Sequence, residues 1–141
     1  MAQASASINI PAPPDQIWQL IGGFGSLPDW LPYITKSELR EGGRVRHLAT
    51  SNGESIIEQL EKFDNDGRTY SYSILQAPFP VSAYLSTLRV QAAGQGHGSR
   101  VDWFGQFTPK GVSEDGASQL FRGIFENGLK ALAARFASEK H

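Results

Sequence analysis

Only one stretch of this chain carries a long helical pattern, and it stands at the very end. From about Val112 to Phe136 (VSEDGASQLFRGIFENGLKALAARF), Leu120, Phe121, Ile124, Phe125, Leu129, Leu132, Ala133 and Phe136 recur at steps of three and four. This spacing lines them along one stripe of an α-helix, with Arg122, Glu126, Lys130 and Arg135 mostly on other faces. Ser113 supplies an N-terminal stop, and Glu114 and Asp115 suit the positive end of the helix dipole. Gly123 and Gly128 interrupt the pattern, each at about 1 kcal/mol relative to alanine in a helix interior. A helix with two such positions either meets something closely or turns them to solvent.

Everything ahead of this helix is shorter. Residues 3–10 alternate and end at Pro11, as a first strand does. In PAPPDQIWQLIGGF the prolines precede Asp15, a natural N-cap, and Ile17, Trp18, Leu20 and Ile21 give a short helix its apolar face before Gly22 and Gly23. SLPDWLPYI predicts a second short helical turn bearing Trp30 and Tyr33. Strands are then predicted at Thr35–Arg40, Arg44–Thr50, Ser55–Phe63, Arg68–Gln76, Tyr84–Gln91 and Ser99–Pro109. Turns separate them at Glu41–Gly43, Ser51–Gly53, Asp64–Gly67 and Gly94–Gly98, with a proline-braced loop at Ala77–Pro80.

Consecutive strands joined by short turns pair antiparallel. Such a sheet has one apolar face, and the terminal helix is the one partner large enough to cover it. The expected architecture is therefore α+β: a curved, seven-stranded antiparallel sheet around a long C-terminal helix, as one domain over residues 1–141. A single helical stripe does not fill the hollow of so large a sheet, so a cavity is expected between them.

Composition narrows the function classes. A formal net charge of -1 leaves no basic footprint for nucleic acid or anionic membrane. With no cysteine there is no disulfide, thiolate metal ligand or cysteine nucleophile. No run of about 18 apolar residues is present. The start, MAQASASINI, lacks the charged and apolar regions of a secretory signal, so a cytoplasmic location is expected.

Several stretches carry a family likeness: IWQLIGGFGSLPDWLPYI, then GGRVRHL, SNGESIIEQLEKFDNDGRTYSYSI, PFPVSAY, and VDWFGQFTP leading into the final helix. In this order they resemble the helix-grip fold of the START and Bet v 1-like (SRPBCC) superfamily, from about Ile8 to Phe136. Within it the chain looks most like bacterial polyketide cyclase/dehydrase and lipid-transport-type proteins, and more distantly like the plant abscisic acid receptors. The superfamily hosts binders, transporters and enzymes, so the likeness speaks to fold more than to ligand. The receptors carry a longer, apolar gate where this chain has only Ser51-Asn52-Gly53. Their hormone switch is accordingly not expected here.

Strand alternation and this likeness together nominate a site. Tyr70, Tyr72 and Ile74 share one face, as do Tyr84, Ser86, Leu88 and Val90. Ile56, Glu58 and Leu60 form the better apolar face of their strand, at the position where the receptors have an inward glutamate. The same comparison turns Arg46 and Leu48 inward. Arg46 and Glu58 then have two readings: a plain cross-strand ion pair or outward charges, or anchors for a ligand's carboxylate, hydroxyl or carbonyl. On the last strand Val101, Trp103 and Phe107 are the favoured inward face. Asp102, Phe104 and Gln106 are the rival face, exchangeable by an irregularity at Gly105.

The expected ligand site thus has Arg46, Glu58, Tyr72 and Tyr84 as a polar floor. Its walls are Trp30, Tyr33, Phe79, Trp103, Phe121 and Phe125, with Trp30, Tyr33 and Phe79 at the mouth. Gly128, on the stripe facing the sheet, is expected to leave space over the tyrosines. The expected partner is a small, largely apolar molecule such as a lipid, polyketide or aromatic, bound by a monomer or homodimer. As an enzyme, the chain would be a cofactor-independent cyclase or dehydratase with Glu58 as general acid/base, whose glutamine variant keeps its fold. A third reading is an interaction domain whose interior is filled by its own aromatics, marked by a cavity no larger than a few waters. His47 is expected to face out, His97 to lie in a turn and His141 at the terminus, so no metal site or cofactor is expected.

Overall fold

A computed structural model describes residues 2–93 and 98–138. The chain runs β1 (Ala2–Ile10), α1 (Pro14–Ile21), α2 (Leu27–Trp30), β2 (Ile34–Arg40), β3 (Val45–Thr50), β4 (Ser55–Asp64), β5 (Thr69–Gln76), β6 (Val81–Ala92), β7 (Ser99–Pro109) and α3 (Glu114–Ser138). All seven strands join one antiparallel sheet in the order β1-β7-β6-β5-β4-β3-β2. This is the helix-grip arrangement, with α3 against the concave face. Most of the turn predicted at Gly94–Gly98, His97 included, lies outside the described residues, as does His141.

The topology follows from the connections. Short turns lay β2 to β7 side by side, and β1 closes the far edge by pairing with β7 from Ala2↔Phe107 to Ile10↔Ser99. α1 and α2 therefore have to carry the chain from one edge of the sheet to the other. Register shifts interrupt β2 near Ile34/Lys36, β4 near Ile57/Glu58 and Leu60/Lys62, and β6 between Ser82 and Leu85. Each such irregularity bends its strand and increases the local twist, which curves the sheet.

The β6 bulge matters most for the interior. Strand β6 begins at Val81, ahead of the expected Tyr84, and Ala83 and Tyr84 together face Phe107. Ala83 takes a left-handed backbone with φ 52°. Without that kink, the alternation from Val81 would not carry Tyr84 inward in step with Ser86 and Leu88. A left-handed alanine costs about 1–2 kcal/mol. Ala83→Gly is expected to raise stability by about 0.5–1 kcal/mol in urea unfolding; an unchanged or lower midpoint would mean that the bulge stores no strain.

Local signals fare unevenly at the helix ends. Ser113 accepts a hydrogen bond from the Gly116 backbone N–H at 2.9 Å, so it caps α3 as expected. Asp15 does not cap α1: Pro13 holds the N-cap position, with Pro14 in the first turn. The Asp15 carboxylate instead pairs with Arg68 across 2.7 Å. The stripe of α3 that meets the sheet is Ala117, Phe121, Phe125, Gly128, Leu129, Leu132 and Phe136. Leu120, assigned to that stripe from its spacing, is 39% exposed. It lies one residue, about 100° of helix rotation, from Phe121. Each fully buried Phe or Leu of the stripe contributes about 1.5–3 kcal/mol of apolar burial.

One buried charge sits on the outer face. Asp102 accepts hydrogen bonds from Ser7 (2.6 Å), Gln91 (2.7 Å), Arg100 (3.1 Å) and Arg89 (3.2 Å). Burial pushes its carboxyl up, but these four donors outweigh it and hold the group below the usual range. Asp102 therefore ties β1, β6 and β7 together. The inward face of β7 is Val101, Trp103 and Phe107, all buried.

Candidate functional site

Arg46 on β3 and Glu58 on β4 are directly paired across the sheet. Because both point inward, the guanidinium and carboxylate meet inside the core: Arg46 Nε donates to Glu58 Oε1 at 2.8 Å, and Nη2 lies 2.7 Å from the same oxygen. Nη1 donates to the Phe24 carbonyl at 3.0 Å and to the Tyr70 hydroxyl at 3.3 Å. The plane of the guanidinium is covered by rings, Phe24 at 4.1 Å and Tyr72 at 4.8 Å from its central carbon. Arg46 is 1% exposed. Burial alone would pull its pKa down, but Tyr70, Glu58 and Tyr72 overcome that and it stays charged. At Glu58 burial is the stronger influence: it pushes the carboxyl above its ordinary value despite the opposing pull of Arg46.

The tyrosines continue this polar floor toward β7. Trp103 Nε1 donates to the Tyr72 hydroxyl at 3.0 Å, and Tyr72 in turn lies beside Tyr84 as its hydrogen-bond partner. The Tyr72 and Tyr84 rings lie 6.1 Å apart. Burial is the main force raising both phenols above their usual range, which keeps them neutral donors at ordinary pH.

Aromatic packing fills most of the space above that floor. Trp103 stacks on Phe125 at 4.6 Å, Phe107 lies 4.7 Å from Phe121, and Tyr84 lies 5.0 Å from Phe121. Among the described residues the roomy chamber expected between sheet and helix is absent, and an interior filled by its own aromatics is what the interaction-domain reading expects. What remains beside Arg46, Glu58, Tyr72, Tyr84 and Trp103 is a void of about 40 Å³, space for on the order of one to three waters. Gly128 does not create room over the tyrosines. A Cβ there would stand 2.7 Å from the Trp103 ring and 2.9 Å from Leu31, so the missing side chain is already replaced by the indole. Gly123 faces open space.

A space larger than the inner void, and more apolar in its lining than the depressions of about 500 Å³ and 510 Å³ elsewhere on the surface, lies at the mouth. A groove of about 420 Å³ runs along the exposed edge of α3, lined by Leu31, Pro32, Tyr33, Phe79, Leu120, Ile124, Asn127, Gly128 and Ala131. Leu31, Tyr33, Phe79 and Ile124 line both the groove and the inner void, so the two adjoin. Tyr33 and Phe79 therefore stand at the mouth. Trp30 does not: it is 2% exposed, packed in the core at 5.9 Å from Trp103. Alternation had aimed Arg46, Glu58, Tyr72, Tyr84 and Trp103 at one another, and they converge here.

Three contributors went unnominated as site residues. Tyr70 shares the inward face of Tyr72, a period-two signal that was available. Phe24 acts through a loop carbonyl as well as its ring, and no strand or helix pattern reveals either. Leu31 follows α2 and meets the helix only through the tertiary fold. Among the described residues no three His, Cys, Asp or Glu side chains cluster as metal ligands do.

Comparison with known proteins agrees with this architecture. The family model described as "Polyketide cyclase / dehydrase and lipid transport" matches residues 1–137. The protein XoxI from Bacillus cereus is 54% identical over 100% of this chain and 99% of its own, with a TM-score of 0.97. A protein from Bacillus thuringiensis is also 54% identical, covering 96% of this chain and 99% of its own, at a TM-score of 0.94. A START superfamily protein from Mycobacterium smegmatis, at 15% identity, shares the fold with a TM-score of 0.80 over 99% of this chain and 100% of its own. No functionally curated protein matches the chain.

Proposed function

We propose, for a chain that belongs to the polyketide cyclase/dehydrase and lipid-transport family, that it binds a small, largely apolar molecule at the mouth between α3 and the sheet. The observation that carries this reading is the groove of about 420 Å³ with its lining of Leu31, Pro32, Tyr33, Phe79, Leu120 and Ile124. Small-molecule sites fall in roughly this range, about 300–1,000 Å³, and combine apolar walls with a few placed polar groups. Here the walls are the groove, and the polar groups lie just beyond it at the inner void. An apolar body in the groove would direct one small end past Phe79 and Ile124 toward Glu58 and the tyrosines. The reading also gives the exposed Leu120 a use.

A cyclase or dehydratase using Glu58 has less support. A void of about 40 Å³ does not admit the body of a polyketide-sized substrate to that carboxyl. Binding at the mouth needs no cofactor. No helix among the described residues is long and apolar enough to cross a membrane.

Uptake of the neutral apolar dye Nile red tests the proposal. The unmodified protein should enhance and saturate the dye's fluorescence, and Leu120→Glu should weaken uptake at least about tenfold, since an ionised carboxylate cannot be desolvated cheaply against an apolar ligand. Leu120 is exposed enough for the variant to fold. No uptake by the unmodified protein, or equal uptake by the variant, would count against the groove as the site.

A further inference from the structure

We infer that the inner end of this site recognises a neutral hydroxyl group, of a phenol or an alcohol, and turns away a carboxylate. The inference rests on the binding reading above and adds the chemistry of the ligand's polar end. A buried arginine at the bottom of an apolar pocket invites the opposite conclusion, that it captures an acid. The bonds at Arg46 argue otherwise. Nε and Nη2 are both committed to Glu58, and Nη1 spends its two protons on the Phe24 carbonyl and the Tyr70 hydroxyl. Phe24 and Tyr72 cover the guanidinium plane. Four of the five guanidinium N–H groups are thus engaged within the core, and Glu58 already balances the positive charge, so an incoming anion would meet no uncompensated cation.

The groups left over have a different character. Both contacts from Arg46 fall on Glu58 Oε1, so Oε2 has no hydrogen-bond partner among the described residues. A carboxylate oxygen in that state accepts from a hydroxyl proton and repels another carboxylate. The Tyr72 hydroxyl accepts from Trp103 and lies next to Tyr84 as a hydrogen-bond partner, so this phenol pair has a proton to donate to the same ligand oxygen. Glu58, Tyr72 and Tyr84 all line the void of about 40 Å³. One acceptor, one donor and room for a group of water's size describe a socket for a hydroxyl. A carboxylate would bring a second negative charge next to Glu58 with no unpaired cation to meet it, a burial that is costly by several kcal/mol in general.

The test uses the unmodified protein and three ligands that share one ring system: a naphthol, its methyl ether, and naphthalene carboxylate. Each displaces Nile red near neutral pH, where the naphthol is uncharged. The naphthol should bind at least about tenfold more tightly than the ether, because the ether leaves Oε2 unpaired, and the carboxylate should be the weakest of the three. Equal binding of naphthol and ether, or a carboxylate that binds as well as the naphthol, would overturn the inference while the groove reading stands. Uptake of Nile red without displacement by the naphthol would do the same. Failure to take up Nile red at all would overturn both. Tyr72→Phe supplies an independent arm: it keeps the ring over Arg46 and should narrow the naphthol–ether gap, and an unchanged gap would remove Tyr72 from the socket.

Discussion

Glu58→Leu is expected to destabilise the fold by about 3–5 kcal/mol near neutral pH. The variant would leave Arg46 charged and 1% exposed, with its principal counter-ion gone. A guanidinium does not deprotonate at any ordinary pH, so it has no way to escape the cost. Arg46→Met should behave differently. It leaves Glu58 buried and unpaired, but a carboxyl can take up a proton, and its pKa already lies above the ordinary value because of burial. Without Arg46 it should rise further. The sign then follows: between the unfolded and folded pKa values the native state holds more protons, so stability falls as pH rises through that window. Arg46→Met should therefore be tolerated best in mild acid and lose ground toward neutral pH, while the stability of Glu58→Leu, which has no carboxyl to titrate there, carries no slope from this site. Replacing both residues should recover much of either loss. Urea unfolding of the three variants from mildly acidic to neutral pH makes the comparison, and a Glu58→Leu loss below about 1 kcal/mol would mean that the charge is satisfied some other way.

This changes how Glu58 can be probed as a catalyst. On the enzyme reading Glu58→Gln is expected to keep the fold, so that lost turnover would read directly as lost chemistry. With Oε1 receiving two contacts from a buried guanidinium, glutamine removes the charge that Arg46 requires. An inactive Glu58→Gln protein would have to be shown folded before its chemistry meant anything.

How much of this was legible before the structure depends on the range of the interaction. Side chains on a strand alternate strictly, so the inward set Arg46, Glu58, Tyr72 and Tyr84 could be read from spacing plus one comparison to a related fold. The cap at Ser113 and the antiparallel run of β2 to β7 were legible for the same reason, since each depends on near neighbours in the chain, whereas the pairing of β1 with β7 does not. The bulge at Ala83 was not, because its backbone is set by pairing with β7 rather than by a glycine or asparagine that would announce it. Nor was the inward carbonyl of Phe24. Asp102 illustrates the converse: an acidic residue on the outer face reads as solvent-exposed until Ser7, Arg89, Gln91 and Arg100 from three strands close around it. The size of the cavity was the least legible feature of all. It is the small difference between the hollow of the sheet and the summed volume of the rings that enter it, and no local pattern reports on that difference.

The two glycines of α3 make the sharpest closing test, because the same substitution should have opposite signs five residues apart. Gly123→Ala places a methyl group where nothing lies within 4 Å. It should stabilise the helix by about 0.5–1 kcal/mol through backbone entropy alone. Gly128→Ala gains the same propensity term but puts its Cβ 2.7 Å from the Trp103 ring. The indole has little freedom to withdraw: Phe125 stacks on it at 4.6 Å, Trp30 lies at 5.9 Å, and its N–H is held by Tyr72. Overpacking of this kind costs about 1–3 kcal/mol, so Gly128→Ala should be a net loss and Gly128→Leu a larger one. If the indole is the obstacle, Trp103→Phe should make Gly128→Ala markedly less harmful, and a double-mutant cycle in urea unfolding would give a coupling of the order of 1 kcal/mol or more. Additive effects would place the conflict at Leu31, whose side chain lies 2.9 Å from the same point and swings more easily. With Gly128 read as leaving space over the tyrosines of the sheet, Gly128→Leu should impair ligand uptake more than stability. The position of Trp103 reverses that order: what Gly128 admits is the protein's own indole, and the loss should register first as stability.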